Sequence, residues 1–149
     1  MQTLEIQHIC GYLPHGLKVI HNEWGEILTM DCSGSSSNSL SIEDVAEYAK
    51  PLLRPLSDLT QQITHKGETF VPMDILIKLS YKSLEIYQYI DAKYNIEFNI
   101  ETEDYSQNLD LFDGVLIFKK LEEWLFDVNK LIDAGLAINV NTLKTNPYA

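Results

Sequence analysis

The chain has very little positive charge, since only 11 of its 149 residues are Lys or Arg, against 22 Asp or Glu. Arg54 is its single arginine. Phosphate groups of nucleic acids are contacted by Lys and Arg, so this composition argues against direct binding of DNA or RNA. It argues equally against attachment to an anionic membrane surface. The net charge of −11 instead predicts attraction to a basic partner.

Cysteines, long apolar runs and familiar catalytic motifs are also scarce. Two cysteines, Cys10 and Cys32, do not make a disulfide framework, and no secretory signal segment is recognisable. We therefore expect reduced thiols and a cytoplasmic protein. No run of 18 apolar residues occurs, which predicts no membrane-spanning helix. Phosphate-binding loops and the G-x-S-x-G elbow are missing from the sequence, so we expect neither a cofactor nor enzymatic activity.

The negative charge is concentrated in two parts of the chain. The first 49 residues contain seven acids and one base, and residues 95–118 contain six carboxylates and no base. Carboxylates spaced closely along an extended chain resemble a row of phosphates, and aromatic side chains often anchor interfaces. The alternative is a solvated loop that only keeps the protein soluble. The predicted partner-binding residues are Glu97, Glu101, Glu103, Asp104, Tyr105, Asp110, Asp113 and Trp24. Residues 22–25 predict a hairpin turn, in which we expect Trp24 to be exposed or half-exposed.

The apolar content of 45% and the 15 aromatic residues are sufficient for a substantial core. We predict a single α+β domain, with an N-terminal antiparallel β-meander or hairpins and a helical C-terminal half. Alternating and turn-forming residues predict the meander, with three strands over residues 4–10, 17–21 and 26–31. After it, residues 33–40 predict a flexible Ser-rich loop.

The middle of the chain combines helix signals with turn signals. Ser41 and Asp44 form a capping-box pattern that predicts a helix, which must end before Pro51. An irregular or extended path follows, with one short helical turn near residues 57–60. Residues 63–71 then predict a hairpin, and Pro72 stands at a favourable first position for a further helix.

The second half carries the clearest periodic patterns. Alternation over residues 96–100 predicts a strand. An apolar stripe predicts a long helix over residues 109–134 with a buried Trp124, and Gly135 fits a C-terminal cap. Residues 136–140 alternate again, which favours a short last strand. The stripe consists of Phe118, Leu121, Leu125, Val128 and Ile132.

An alternative class is a metal- or ligand-binding module, or an enzyme, built on the N-terminal segment. Thiolate and imidazole are zinc ligands, and the first 32 residues contain both cysteines and three of the four histidines. Their spacing matches no standard zinc pattern, and buried histidines and cysteines are common in ordinary cores. We therefore predict no metal site, and the alternative would use His8, Cys10, His21 and Cys32.

Four stretches have an idiosyncratic residue order: 11–19 (GYLPHGLKV), 53–60 (LRPLSDLT), 67–72 (GETFVP) and 126–143 (FDVNKLIDAGLAINVNTL). In these stretches the chain resembles a family of uncharacterised proteins of bacterial phages and prophages. The resemblance implies a small accessory phage protein in the cytoplasm of a bacterial host. It carries over no catalytic or binding residues. Residues 95–110 lie outside the similar stretches.

The negative charge, together with the phage context that the resemblance implies, predicts a phage protein that binds and inhibits a bacterial protein by direct contact. The expected partner is a basic defence nuclease, and inhibition of an RNA-guided CRISPR effector, as by an anti-CRISPR protein, is the most specific form of this hypothesis. Such effectors contain a positively charged nucleic-acid channel. We expect the chain to act as a monomer or dimer. A virion assembly protein, which would form high-order homo-oligomers, is a further alternative.

Overall fold

The computed structural model describes residues 3–31, 41–79 and 111–149, with side chains for all of these except 77–79 and 111–114. Helices and strands both occur, and the strands form a mixed sheet and a separate hairpin. The predicted α+β class is therefore confirmed. None of the helices in the described ranges is long and apolar enough to cross a membrane.

The described chain divides into two compact units. The first unit contains Met1–Pro55 and Glu122–Pro147, and the second contains Leu56–Leu121 and Tyr148–Ala149. The strands are β1 (Lys18–His21), β2 (Ile27–Thr29), β3 (Ala49–Leu53), β4 (Ile63–His65), β5 (Glu68–Phe70) and β6 (Ile138–Asn139). The described α-helices are α1 (Ile6–Ile9), α2 (Ile42–Tyr48), α3 (Pro72–Leu79) and α4 (Leu111–Glu123), and 3-10 helices span Cys10–His15, Leu56–Thr60 and Val140–Thr142.

The first unit is built on a four-stranded sheet with the order β2-β1-β3-β6. Strand β1 runs antiparallel to both β2 and β3, whereas β3 and β6 are parallel. Val19 lies opposite Leu28 on one side and Pro51 on the other, and all three are buried. Successive side chains of a strand alternate between faces, so the paired Ile20 and Ile27 lie on the opposite, more exposed face.

A tight turn joins β1 to β2, as the sequence predicts. The N–H of Gly25 donates to the carbonyl of His21 at 2.9 Å, and the N–H of His21 donates to the carbonyl of Glu26 at 3.0 Å. Gly25 has a φ of 67°, a left-handed conformation that glycine adopts without steric cost. Two of the three predicted meander strands are therefore confirmed.

Helix α2 begins at the predicted cap and leads directly into β3. The Ser41 hydroxyl accepts the N–H of Asp44 at 3.2 Å, and the Asp44 carboxylate accepts the N–H of Ser41 at 3.3 Å. Strand β3 confirms the extended path predicted near Pro51. Its pairing with β6 begins at Leu52, so the N–H that proline lacks is not needed there.

The strand predicted over residues 4–10 is wrong, because this segment forms α1 and the 3-10 helix Cys10–His15. The alternation of apolar and polar residues does not match the observed burial. Ile6 is largely exposed, whereas Ile9, Tyr12 and Leu13 are buried, which is the spacing of a helical surface. The three-stranded meander is thus a two-stranded hairpin, to which β3 adds the third strand.

The long helix predicted over residues 109–134 is wrong beyond Glu123, where α4 ends. Leu125 adopts a left-handed φ of 61°, which breaks the helix. The main chain then pairs with Arg54, whose N–H donates to the Leu125 carbonyl at 2.8 Å and whose carbonyl accepts the N–H of Asp127 at 2.9 Å. These inter-segment hydrogen bonds replace the helical ones that the apolar stripe alone would favour.

The second unit contains the predicted hairpin and the start of the predicted helix at Pro72. Strands β4 and β5 are antiparallel and joined by Lys66 and Gly67, whose φ values are 49° and 85°. The N–H of Lys66 also donates to the carbonyl of Tyr148 at 2.7 Å. The 3-10 helix Leu56–Thr60 confirms the predicted short turn. The buried apolar residues described in the second unit are Leu59, Ile63, Met73, Leu76, Ile117, Leu121 and Tyr148.

Several predictions fall outside the described residues or remain untested. The Ser-rich loop 33–40 and the strand 96–100 are outside the described ranges. The short last strand is confirmed as β6, although it contains only two residues. Gly135 has the left-handed φ of 75° expected of a cap, but it closes a turn rather than a long helix. The single domain over residues 1–149 stays a prediction.

Candidate protein-binding surface

Trp24 is the most exposed large apolar side chain of the described residues, with 64% of its surface accessible. It lies in the turn between β1 and β2. Its indole is stacked on the imidazole of His21, with ring centroids 3.9 Å apart and an angle of 10° between the planes. His21 is buried, so one indole face is supported from below while much of the side chain is left open to solvent.

The imidazole of His21 also holds the turn through its Nδ1 atom. This atom accepts the backbone N–H of Glu23 at 3.2 Å and that of Trp24 at 3.3 Å. Both bonds require a lone pair on Nδ1, which assigns the ring proton of neutral His21 to Nε2. The stack and the two hydrogen bonds fix the indole before any partner binds.

The C-terminal end of α2 lies beside this turn. The N–H of Asn22 donates to the carbonyl of Tyr48 at 2.8 Å, which joins the two segments. The Tyr48 side chain is 44% exposed, and Ile27, which follows the turn, is 45% exposed. The hydrogen bond therefore places the exposed Tyr48 beside the turn that carries Trp24, whereas Ile27 lies on the face of the sheet opposite His21.

Carboxylates near Tyr48 give this region a negative potential. The pKa of the Tyr48 phenol is raised above its ordinary value, first by a hydrogen bond to the Glu47 carboxylate and by its charge, then by desolvation and by Asp44 and Glu23. A negative field opposes ionisation of a phenol. We call this region the Trp24 surface; it consists of Glu23, Trp24, Asp44, Glu47 and Tyr48.

A small cavity of about 200 Å³ lies next to the Trp24 surface and shares Glu47 with it. This volume is below the 300–1,000 Å³ typical of pockets for small molecules. One carboxylate and one ammonium group, those of Glu47 and Lys50, are the charged groups that line it.

Among the predicted partner-binding residues, Trp24 is the one whose side chain the structure describes. Trp24 is exposed as predicted, and Trp124 is buried as predicted. The acidic residues 97–110 and Tyr105 lie outside the described residues, and Asp113 lies on α4 without a described side chain. Their role as a binding surface stays a prediction.

The acidic balance of residues 1–49 is evident from the sequence, but the sequence alone does not assign these carboxylates to a site. Glu23, Glu47 and Tyr48 were missed because their proximity depends on tertiary structure. The available signal was the excess of seven acids over one base in this segment, together with an exposed Trp.

The residues of the alternative metal site have other contacts in the structure. Nδ1 of His8 accepts the N–H of Glu5 at 3.0 Å, and Sγ of the exposed Cys10 is 3.7 Å from the carbonyl of Gln7. Within the described part of the chain, no three His, Cys, Asp or Glu residues are grouped to hold a metal ion. Cys32 lies outside that part, so the alternative stays untested.

Comparison of the chain with protein-family models, curated proteins and solved structures finds no match. The assignment of function therefore depends on the surface itself.

Proposed function

We propose that the chain is a small acidic phage protein that binds a basic bacterial protein and inhibits it by direct contact. In this proposal it acts in the bacterial cytoplasm as a monomer or dimer, without catalysis of its own. The partner class is a defence nuclease, and an RNA-guided CRISPR effector is its most specific form. The observation that carries the proposal is the exposed Trp24, stacked on buried His21 in a turn that lies beside Tyr48 and the carboxylates that act on Tyr48.

An exposed, immobilised Trp is a favourable anchor for a protein partner. Trp is enriched among the residues that contribute most to interface stability, because its large surface is desolvated on binding. The His21 stack already restricts the indole, so less side-chain entropy is lost when a partner binds.

The charge of the chain supports a basic partner. Carboxylates on the Trp24 surface and the six in residues 95–118 attract a positively charged protein and accelerate its association. A nuclease must present Lys and Arg to hold its nucleic-acid substrate. An acidic protein seated on those residues would compete with the nucleic acid for the same charges.

The test is affinity capture on the tagged full-length protein from a lysate of the bacterial host, at low and at high salt. We expect a basic nuclease that is retained at low salt and weakened at high salt, because salt screens exposed charges. The purified nuclease should also lose activity when the chain is added. Failure to retain any nuclease at either salt would refute the proposal.

A charge variant provides the control for the second acidic segment. Replacement of its carboxylates by amides keeps side-chain size while it removes six negative charges. Nuclease binding should weaken, and unchanged binding would show that this segment has no role. The variant combines Glu97→Gln, Glu101→Gln, Glu103→Gln, Asp104→Asn, Asp110→Asn and Asp113→Asn.

A further inference from the structure

We infer that the outer face of Trp24 is a recognition site for a guanidinium group, which an arginine side chain of the partner supplies. This inference rests on the proposed function in that the arginine belongs to the proposed partner. The recognition itself depends only on Trp24 and the groups around it, and it can be tested without that partner.

The geometry of the indole is the first argument. One face of the Trp24 ring lies against His21 at a centroid distance of 3.9 Å, so a cation can approach the opposite face. The π-system of Trp presents negative charge on its faces and is the strongest aromatic acceptor for cations. The support by buried His21 holds that face outward in a fixed orientation.

The carboxylates are the second argument. Glu23 is exposed and precedes Trp24 directly in the turn, and Glu47 and Asp44 contribute to the negative field at the neighbouring Tyr48. A cation that approaches the indole is therefore attracted by the charge of Glu23 and, from the neighbouring end of α2, by the charges of Glu47 and Asp44. Charge complementarity selects a positively charged occupant over an apolar one.

The two basic side chains differ in how well they can bind to the indole face. The guanidinium of Arg is planar, stacks on aromatic faces and forms paired hydrogen bonds with carboxylates. The ammonium of Lys is a compact, strongly hydrated point charge that cannot stack in this way. The Trp24 surface should therefore prefer Arg to Lys, and both to an uncharged group of the same shape.

The test uses NMR of the ¹⁵N-labelled full-length protein and a short blocked peptide that contains two arginines. Matched peptides replace each arginine by lysine or by citrulline, which keeps the shape but lacks the charge. The two indole N–H signals are assigned with a Trp24→Phe variant. We expect saturable movement of the Trp24 signal with the arginine peptide, several-fold weaker binding of the lysine peptide, and no response to the citrulline peptide.

The buried Trp124 provides an internal control, since its indole signal should not move. Glu23→Gln should weaken arginine-peptide binding several-fold. Glu68→Gln, which removes the same charge from an exposed residue of β5, should leave it unchanged. An unmoved Trp24 signal, or equal responses to the arginine and citrulline peptides, would overturn the inference.

Binding of the captured nuclease to wild type and to Trp24→Ala distinguishes a failure of this inference from a failure of the proposed function. Trp24→Ala should weaken nuclease binding by about 30-fold, the loss typical of a central anchor residue. If the nuclease binds wild-type protein and Trp24→Ala equally, the arginine site is wrong while the proposed function stands. If no nuclease is captured but the arginine peptide binds, the proposed function is wrong and the guanidinium site stands.

Discussion

The hydroxyl of Tyr12 offers a sharp test of how the first unit is held together. Tyr12 is only 1% exposed, and its hydroxyl donates to the carbonyl of Phe126 at 2.7 Å. The same oxygen accepts the N–H of Val128 at 3.2 Å. These bonds join segments more than 100 residues apart in sequence, at the point where the predicted long helix gives way to the pairing with Arg54.

Tyr12→Phe removes this oxygen and leaves the buried ring in place. A neutral hydrogen bond contributes about 1 kcal/mol to stability. The N–H of Val128 also donates to the carbonyl of Phe126 at 3.0 Å, so both backbone groups keep a partner in Tyr12→Phe. Loss of the two bonds should therefore lower the free energy of unfolding by about 2 kcal/mol. For a domain of this size, that corresponds to a decrease in Tm of about 4–8 °C.

Urea denaturation followed by tryptophan fluorescence is the appropriate assay, because Trp24 and Trp124 both belong to the first unit. Tyr48→Phe is the matched control: it removes the hydroxyl of an exposed tyrosine in the same unit, whose hydrogen bond to Glu47 lies at the surface, and it should change the free energy of unfolding by less than about 0.5 kcal/mol. A loss below about 0.5 kcal/mol for Tyr12→Phe would contradict the reasoning, because it would match an ordinary surface change.

Five further substitutions test local features. Ser41→Ala removes the side-chain cap of α2 and should cost about 1 kcal/mol in urea denaturation, whereas Ser41→Asn should retain most of it. Lys66→Asn should stabilise the β4–β5 hairpin by about 0.5 kcal/mol, because Asn tolerates the left-handed φ of 49° better than Lys, whereas Gly67→Ala should destabilise it. Burial raises the pKa of Asp127, despite the lowering effect of backbone N–H donors that include Ile132 and Leu131. As pH rises, the folded chain therefore keeps this proton to a higher pH than the unfolded chain does. The stability that this carboxyl contributes should therefore fall as pH rises through its raised pKa, and wild type should gain relative to Asp127→Asn when urea denaturation is repeated at lower pH; the opposite trend would contradict this assignment.

Local signals in the sequence were sufficient where the structure is local. The β1–β2 turn, the Ser41 cap, the β4–β5 hairpin and the helix start at Pro72 depend on residues within a few positions of one another. Such features follow from capping and turn chemistry. Each of them was predicted correctly.

The failures occur where distant segments determine the backbone. The stripe around Leu125 has helical spacing, yet Arg54, which directly follows β3 and lies about 70 residues away in sequence, supplies hydrogen bonds to this segment. The Nε of Arg54 donates to the carbonyl of Trp124 at 3.0 Å. Leu125 is fully buried even though its φ of 61° is unfavourable for a leucine. A periodic pattern records which residues are apolar, and it cannot record a competing partner for their backbone.

The same physical limit explains why only one member of the Trp24 surface was predicted. An aromatic residue in a polar turn is recognisable as exposed from sequence, and Trp24 was identified in this way. Tyr48 is brought to it by the pairing of β1 with β3 and by the hydrogen bond from Asn22, and β3 carries Pro51, a residue that disfavours a central strand. The surface therefore exists only after an unusual strand has formed, so binding tests on Trp24 and Tyr48 should be made in the full-length protein, where β3 holds them together.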